Sequence, residues 1–157
     1  IIFPDTLRTI GTDAFSGCNM LKEVTIPSSV TSISGYAFSN CKELQRINIH
    51  GSTGLKLCYG AFSGCTNLRY VSITGCDYVV MHDRLFADCP NLEDVNMSNT
   101  VWERSDYLSD CDLFKNCDRL NGITISTNCD WNTAKEFCWA LQIPYRYDDH
   151  LDWIVPN

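Results

Sequence analysis

Cysteine and histidine are the residues of this 157-residue chain whose chemistry could define a function. Ten cysteines and three histidines are enough for disulfides, a metal site or a thiol nucleophile. Five of the cysteines recur at a nearly constant spacing: Cys18, Cys41, Cys65, Cys89 and Cys117. Stacked repeats would place that position in a column about 5 Å apart, with parallel side chains. Because an odd number cannot pair fully and cysteine is often buried, we expect buried free thiols.

The other cysteines offer one disulfide candidate and one weak metal candidate. A bridge between Cys129 and Cys138 would tie the last predicted strand to the segment that follows it. Cys58 and His82 stand at the same repeat position, which also contains Gly11, Ser34 and Asp110. Two or three potential ligands in a turn are more often ordinary polar surface, and the sequence has no C-x-x-C pair. We therefore predict no metal and no cofactor.

Catalysis has no recognisable motif in this sequence. A hydrolase needs a nucleophile, a base and an orienting acid in convergent positions. None of the histidines, at positions 50, 82 and 150, lies in a G-x-S-x-G or similar motif. We predict no catalytic residues and no enzyme activity.

The elements that carry these residues are sequence repeats, and their period lies in the range typical of stacked leucine-rich units. Each periodic cysteine ends a turn of the form A-F-S-G-C or a variant of it. Three residues later a leucine opens an L-x-x-[VI]-x-[IM] run, whose alternation predicts a strand with its apolar side chains inward. The turns also align a column of aromatic rings: Phe15, Phe38, Phe62, Phe86 and Phe114. We expect these rings to form a continuous buried spine.

The ends of the chain depart from the repeat. Aligning residues 3–7 with 26–30 places Ile1 inside a strand, which predicts a piece trimmed from a longer protein. After residue 126 an i, i+3, i+4, i+7 pattern at positions 134, 137, 138 and 141 predicts a helix. Residues 143–147 follow as a predicted closing strand. We predict a solenoid over 1–126, with about five full repeats after a truncated strand, and a cap and tail over 127–157.

Composition excludes two classes of partner. The chain has a net charge of −7, 20% charged residues and 45% hydrophobic residues. Up to Cys76 it carries six basic and four acidic side chains, whereas from Asp77 onward it carries six and fifteen. No basic stripe is present for nucleic acid, and no apolar run approaches the roughly 18 residues of a membrane span. We expect neither nucleic-acid binding nor membrane insertion in this segment.

The outward side chains of the predicted strands are the first candidate for a partner site, because stacked repeats create extended binding surfaces. Tyrosine and arginine occur together there, as in many binding hot spots. The candidate residues are Gln45, Arg46, Asn48, Arg69, Tyr70, Ser72, Glu93 and Asp94. An insertion within residues 98–112, containing Trp102 and Tyr107, is a second candidate, since solenoid insertions map to loops on one face. A solvated sheet with paired charges, or a packed loop, would explain the same residues.

The unit A-F-S-G-C-x-x-L-x-x-V-x-I-P-S-S-V-x-S-I resembles the BspA-like leucine-rich repeats. The I-P-S-S-V junction at 26–30 and its counterpart at 3–7 are the most specific part of this resemblance. It implies an α/β fold, a right-handed, strand-rich leucine-rich-repeat solenoid with short helical turns and a C-terminal helix-strand cap.

The same resemblance implies a non-catalytic module of a secreted or cell-surface protein, mediating adhesion or binding to another protein, extracellular matrix or a host surface macromolecule. A structural spacer that presents other domains of a longer chain is the alternative, and an enzyme is a remote one.

Overall fold

The computed structural model describes residues 1–104, 112–128, 138, 142–149 and 152–156. Short strands from each repeat assemble into two parallel sheets. One sheet contains β2 (Glu23–Ile26), β4 (Arg46–His50), β6 (Tyr70–Thr74), β8 (Asp94–Met97), β10 (Ile123–Ile125) and β11 (Tyr145–Tyr147). The other contains β1 (Thr9–Ile10), β3 (Ser32–Ile33), β5 (Leu55–Leu57), β7 (Val79–Met81) and β9 (Trp102–Arg104).

Each repeat gives one strand to each sheet, so the chain winds as a parallel β-solenoid of about five turns. The six-stranded sheet runs β2-β4-β6-β8-β10-β11 and the five-stranded sheet runs β1-β3-β5-β7-β9. The register is one repeat per step: Arg46 pairs with Tyr70, and Tyr70 pairs with Asp94. Equivalent residues of successive repeats therefore stand side by side in columns.

The core lies between the sheets and the turns. Inward residues of the L-x-x-[VI]-x-[IM] run are buried, as the alternation predicts; Leu44, Ile47 and Ile49 are examples. The predicted phenylalanine spine is confirmed. Its rings stack with centroid separations of 5.1, 5.3, 5.7 and 5.6 Å and interplanar angles of 10° or less. Full burial of one such ring stabilises the fold by about 1.5–3 kcal/mol, so the spine supplies much of the cohesion between repeats.

The turns that carry these rings are not the short helices that the family resemblance implied. The residue before each periodic cysteine has a left-handed backbone, with φ between 55° and 71°. These residues are Gly17, Asn40, Gly64, Asp88 and Asn116. In the middle repeats the residue before the A-F or L-F pair is left-handed as well, as at Gly60 with φ 60°. Only three residues separate the two left-handed positions, and this is too short for a helix. The described part of the chain is strand and turn almost throughout, so it does not support the α/β class.

Backbone and thiol hydrogen bonds join the turns of neighbouring repeats. The N–H of Phe38 donates to the carbonyl of Ala61 over 2.8 Å, and other repeats do the same. Each cysteine thiol after the first donates to the phenylalanine carbonyl of the preceding repeat, as Cys65 does to Phe38 over 3.2 Å. The thiols of this column are free, and those of Cys41, Cys65 and Cys89 are buried. A cysteine recurs here because a small, weak donor fits a buried carbonyl.

The predictions for the C-terminal region have different outcomes. The closing strand is confirmed, since β11 pairs in parallel with β10 and extends the six-stranded sheet. The predicted helix over 134–141 lies outside the described residues except for Cys138, so the helical cap stays a prediction, as does the handedness of the coil. The sequence pattern does not predict the five-stranded sheet. Its strands lie in the short apolar segments that precede each A-F or L-F pair.

Candidate functional site

The outer face of the six-stranded sheet is formed by the side chains of β2, β4, β6 and β8 that point away from the core. Alternation within each strand exposes them: in β4, Arg46 and His50 are exposed and Asn48 is half-buried, whereas Ile47 and Ile49 are buried. The register aligns Glu23, Arg46, Tyr70 and Asp94 in one column. A second column contains Thr25, Asn48, Ser72 and Asn96. Equivalent outward positions of successive repeats are thus neighbours in the structure.

A surface depression of about 590 Å³ lies on this face, across the first three strands of the sheet. It is lined by Lys22, Glu23, Gln45, Arg46, Asn67, Arg69 and Tyr70. Four of the predicted partner-binding residues are among these: Gln45, Arg46, Arg69 and Tyr70. The structure therefore brings the central part of the predicted site together in one concave area.

A network of charged and aromatic side chains extends from the depression to its border. The guanidinium carbon of Arg46 lies 5.5 Å from the centroid of the Tyr70 ring, a cation–π contact. The Tyr70 hydroxyl donates to a carboxylate oxygen of Glu93 over 3.1 Å. Arg69 approaches the other oxygen of Glu93, at 3.7 Å. This arrangement fixes the orientation of the Tyr70 side chain, which is 39% exposed.

Polar pairs flank the network along the same face. Asn48 donates to the carboxylate of Glu23 over 2.8 Å, across the β2–β4 pair. Asn67 donates to Glu43 over 3.4 Å in the adjoining turns. Ser72 stands between Asn48 and Asn96 in its column. The face therefore offers amide and hydroxyl groups beside its cations, suited to binding a polar chain.

The far end of the face is covered by the chain itself. Ile154 pairs with Tyr145 in an antiparallel bridge, which brings the tail across the sheet edge. The Trp153 ring lies against Gly122, where a Cβ would overlap it, and Arg146 lies 4.7 Å from the ring centroid. Burial raises the pKa of the neighbouring Asp94, and the charge of Arg146 opposes that shift. The open part of the face is therefore the part that contains the depression.

The second predicted partner site, the insertion, lies only in part among the described residues. Trp102 lies in β9 and is only 3% exposed, packed in the core as part of the five-stranded sheet. Its ring is thus unavailable to a partner, and its assignment to the binding set is wrong. Tyr107 lies outside the described residues.

The cysteine and histidine candidates remain without a metal site in the described part of the chain. Cys58 and His82 follow neighbouring strands, and the His82 N–H donates to the carbonyl of Leu57 over 3.0 Å. Asp110, from the same column, lies outside the described residues. Among the residues that the structure describes, no group of three or more His, Cys, Asp or Glu side chains is placed to hold a metal ion.

The predicted bridge between Cys129 and Cys138 is absent at its described end and stays a prediction for protein made under oxidising conditions. Cys138 is buried and unbridged, and Cys129 lies outside the described residues. Peptide mapping of unreduced protein made under oxidising conditions should show the two joined. Free thiols at both positions would exclude the bridge.

Burial makes three thiols of the column poor nucleophiles. It raises the pKa of Cys117 to about 12 and that of Cys89 still further. The neighbouring Cys41 thiol and burial raise the pKa of Cys65. At neutral pH these groups keep their protons and donate them to carbonyls, as their contacts show. Their chemistry is structural.

Three residues of the depression were missing from the predicted binding set: Lys22, Glu23 and Asn67. The first two occupy the same columns as Gln45 and Arg46, so the repeat register was the signal that could have added them. Asn67 comes from the turn before β6, where the sequence pattern gives no direction for its side chain. Nothing in the pattern indicated that Trp153 returns to Gly122.

Stacked parallel strands, a leucine column and an exposed polar face together define a leucine-rich-repeat solenoid. In the described part of the chain, no helix is long and apolar enough to cross a membrane. A family model described as "BspA type Leucine rich repeat region" matches six copies over residues 1–111. The chain belongs to the BspA-type leucine-rich repeat family.

Among solved structures, the chain is similar to a leucine-rich repeat protein from Bacteroides ovatus ATCC 8483, with 25% sequence identity and a TM-score of 0.50. The match covers 79% of this chain and 42% of that protein, so this chain spans less than half of its length. A comparison with curated proteins found no match.

Proposed function

We propose that this solenoid is a non-catalytic binding module of a secreted or cell-surface protein, and that it engages another protein through the outer face. The observation that carries the proposal is the depression lined by Arg46, Arg69 and Tyr70, with Glu93 at its border in contact with the last two. Arginine and tyrosine dominate binding hot spots because they combine large contact area with directional hydrogen bonds.

The fold supports the same function. Leucine-rich repeats typically serve as protein-interaction modules, and the sheets of solenoids provide extended surfaces for it. The outer-face positions differ from repeat to repeat, whereas the core positions repeat the same residue types. We extend the proposal to surface display and to adhesion to matrix or host macromolecules, because the resemblance to the family implies both.

One observation favours the spacer alternative. Several outer-face charges are already matched within the chain, as Glu23 is by Asn48 and Glu93 by Arg69 and Tyr70. A solvated sheet in a spacer domain would have the same pairs. The two functions differ in whether the face makes specific contact with another protein.

Site-directed photocrosslinking separates them. Benzoylphenylalanine is placed at Gln45, which lines the depression, or at Lys56, an exposed strand residue of the five-stranded sheet. Cell-surface extract is then irradiated with each variant. We expect a discrete protein adduct from position 45 alone, suppressed by excess unlabelled wild-type module. An R46A/R69A/Y70A competitor should fail to suppress it.

Two results would favour the spacer over the binding module. One is the same adduct pattern from both positions. The other is an adduct at position 45 that the triple variant suppresses as well as the wild type does.

A further inference from the structure

We propose that the segment bound in the depression is an acidic, extended peptide whose carboxylates are held by Lys22, Arg46 and Arg69. This inference rests on the proposed function and specifies the chemistry of its partner.

The depression is basic within an acidic protein. Its lining contains three cations and one carboxylate, whereas the chain has a net charge of −7. That carboxylate, Glu23, accepts a hydrogen bond from Asn48. Among the described residues, neither Lys22 nor Arg46 has a carboxylate partner. The local potential therefore favours a ligand that brings carboxylates to unmatched cations.

The cations are spaced along the stack. Lys22, Arg46 and Arg69 come from three successive repeats. The register places Lys22 and Arg69 at the repeat position of Gln45, and Arg46 is one residue further along its strand. Adjacent strands lie about 4.8 Å apart, so the first and third repeats are about 10 Å apart. An extended peptide advances about 3.3 Å per residue. Carboxylates one or two residues apart would thus reach cations of adjacent repeats, and carboxylates three residues apart would reach Lys22 and Arg69.

The arginines can exchange their present contacts for those of a ligand. Arg69 is 52% exposed and 3.7 Å from Glu93, and a surface pair of this kind contributes only about 0–1 kcal/mol. Contact of Arg46 with the Tyr70 ring orders its guanidinium, whose planar array of N–H donors matches a carboxylate in two-point geometry. Tyr70 adds an exposed apolar surface for the peptide backbone.

A short peptide fits this site better than a long polyanion does. Glu43 and Glu93 border the depression, and the acidic second half of the chain follows it. Nucleic acid or a sulfated polysaccharide would extend past three cations onto these carboxylates and be repelled. A local acidic segment of a protein would contact only the basic area.

The test uses fluorescein-labelled hexaglutamate and hexaglutamine as probes, with fluorescence polarisation on the full chain. We expect hexaglutamate to bind, and hexaglutamine to bind at least about tenfold more weakly. R46Q and R69Q should each weaken hexaglutamate binding several-fold, and the double variant should abolish it. K56Q, which removes an exposed cation from the opposite sheet, should leave binding unchanged. Binding should also fall as salt rises.

Three results would overturn the proposal. One is equal affinity for the two probes, another is hexaglutamate binding that survives the R46Q/R69Q change, and the third is a preference for a heparin oligosaccharide over hexaglutamate. Self-association of the wild-type chain that the double variant abolishes would also overturn it, because the acidic partner would then be a second copy.

Crosslinking at position 45 distinguishes failure of the acidic-peptide proposal from failure of the proposed binding face. An adduct that wild-type module suppresses but excess hexaglutamate does not would reject the acidic partner and retain the binding face. Absence of a position-specific adduct would reject the binding face itself.

Discussion

The turns and the outer face are built from the same repeats, but they obey different constraints. In the turns, every repeat must fill the same buried space and satisfy the same buried carbonyls, so phenylalanine and cysteine recur in all five repeats. On the outer face, water can hydrogen-bond to any polar side chain, so one column can contain different residue types: Glu23, Arg46, Tyr70 and Asp94. Residues of the turns are therefore constrained by folding, whereas residues of the outer face can vary and so determine which partner binds.

The largest loss of stability should follow from a substitution in the phenylalanine column of the turns. Phe62 is fully buried, with Phe38 and Phe86 stacked on its two faces at 5.3 and 5.7 Å. Phe62→Ala should cost about 3–5 kcal/mol, through lost burial and an unfilled cavity. Chemical denaturation measures the free energy of unfolding. Phe15→Ala, in the same column but half-buried near the end of the stack, should cost less; equal costs would mean that stacking is not the source of the cohesion.

A smaller loss is expected from the thiol column. Cys65→Ala removes the donor that the Phe38 carbonyl accepts within the core, and a buried carbonyl left without a partner costs about 1–3 kcal/mol. Cys58→Ala, at a half-buried cysteine outside the column, is the matched control and should cost less than about 1 kcal/mol. Equal losses for the two variants, measured by the same denaturation, would show that the column bond carries no special weight.

These columns were the part of the structure that the sequence predicted best. The period of the repeat fixes which residues are neighbours, and strand alternation fixes which of them point inward. The outer-face columns followed from that register alone. Four of the predicted binding residues consequently meet in the depression.

The errors arose where local pattern and three-dimensional context differ. The strands β1 and β3 have two residues each, so their alternation is too short to distinguish a strand from a loop. Helical turns were expected from the family, but left-handed residues such as Asn40 and Asp88 stop them. Trp102 looked like a loop aromatic because its pairing partner Val79 belongs to a sheet that was not predicted.

A hydrogen-bonded carboxylate near the C-terminal end should make the stability of the fold depend on pH. The Asp148 carboxylate accepts hydrogen bonds from the backbone N–H of Asn99 and of Thr127, at 2.8 and 3.2 Å. Burial acts to raise the pKa of Asp148, but these hydrogen bonds outweigh it and the pKa is lowered. A lowered pKa means that the carboxylate stabilises the fold above its unfolded pKa of about 3.9, and that this is lost as pH falls through the folded value.

Asp148→Asn should therefore cost about 1 kcal/mol at pH 7. The difference from wild type should begin to shrink below about pH 4, where Asp148 of the unfolded chain becomes protonated, and should be smallest below the lowered pKa of the folded state. Unfolding curves for both proteins between neutral and acidic pH measure this. A difference that is constant across the range would mean that the charge of Asp148 does not matter to the fold.

The smallest effect on stability should come from a substitution on the outer face. Tyr70 is 39% exposed, and its contacts with Arg46 and Glu93 lie at the surface. Tyr70→Ala should change the free energy of unfolding by no more than about 0.5 kcal/mol. Binding of a protein partner, or of hexaglutamate, should nevertheless weaken about tenfold, because the ring orders Arg46 and supplies contact area. Tyr59→Ala, at an exposed tyrosine of a turn, should leave binding unchanged; weakening of binding by both variants alike would locate the partner site outside the outer face.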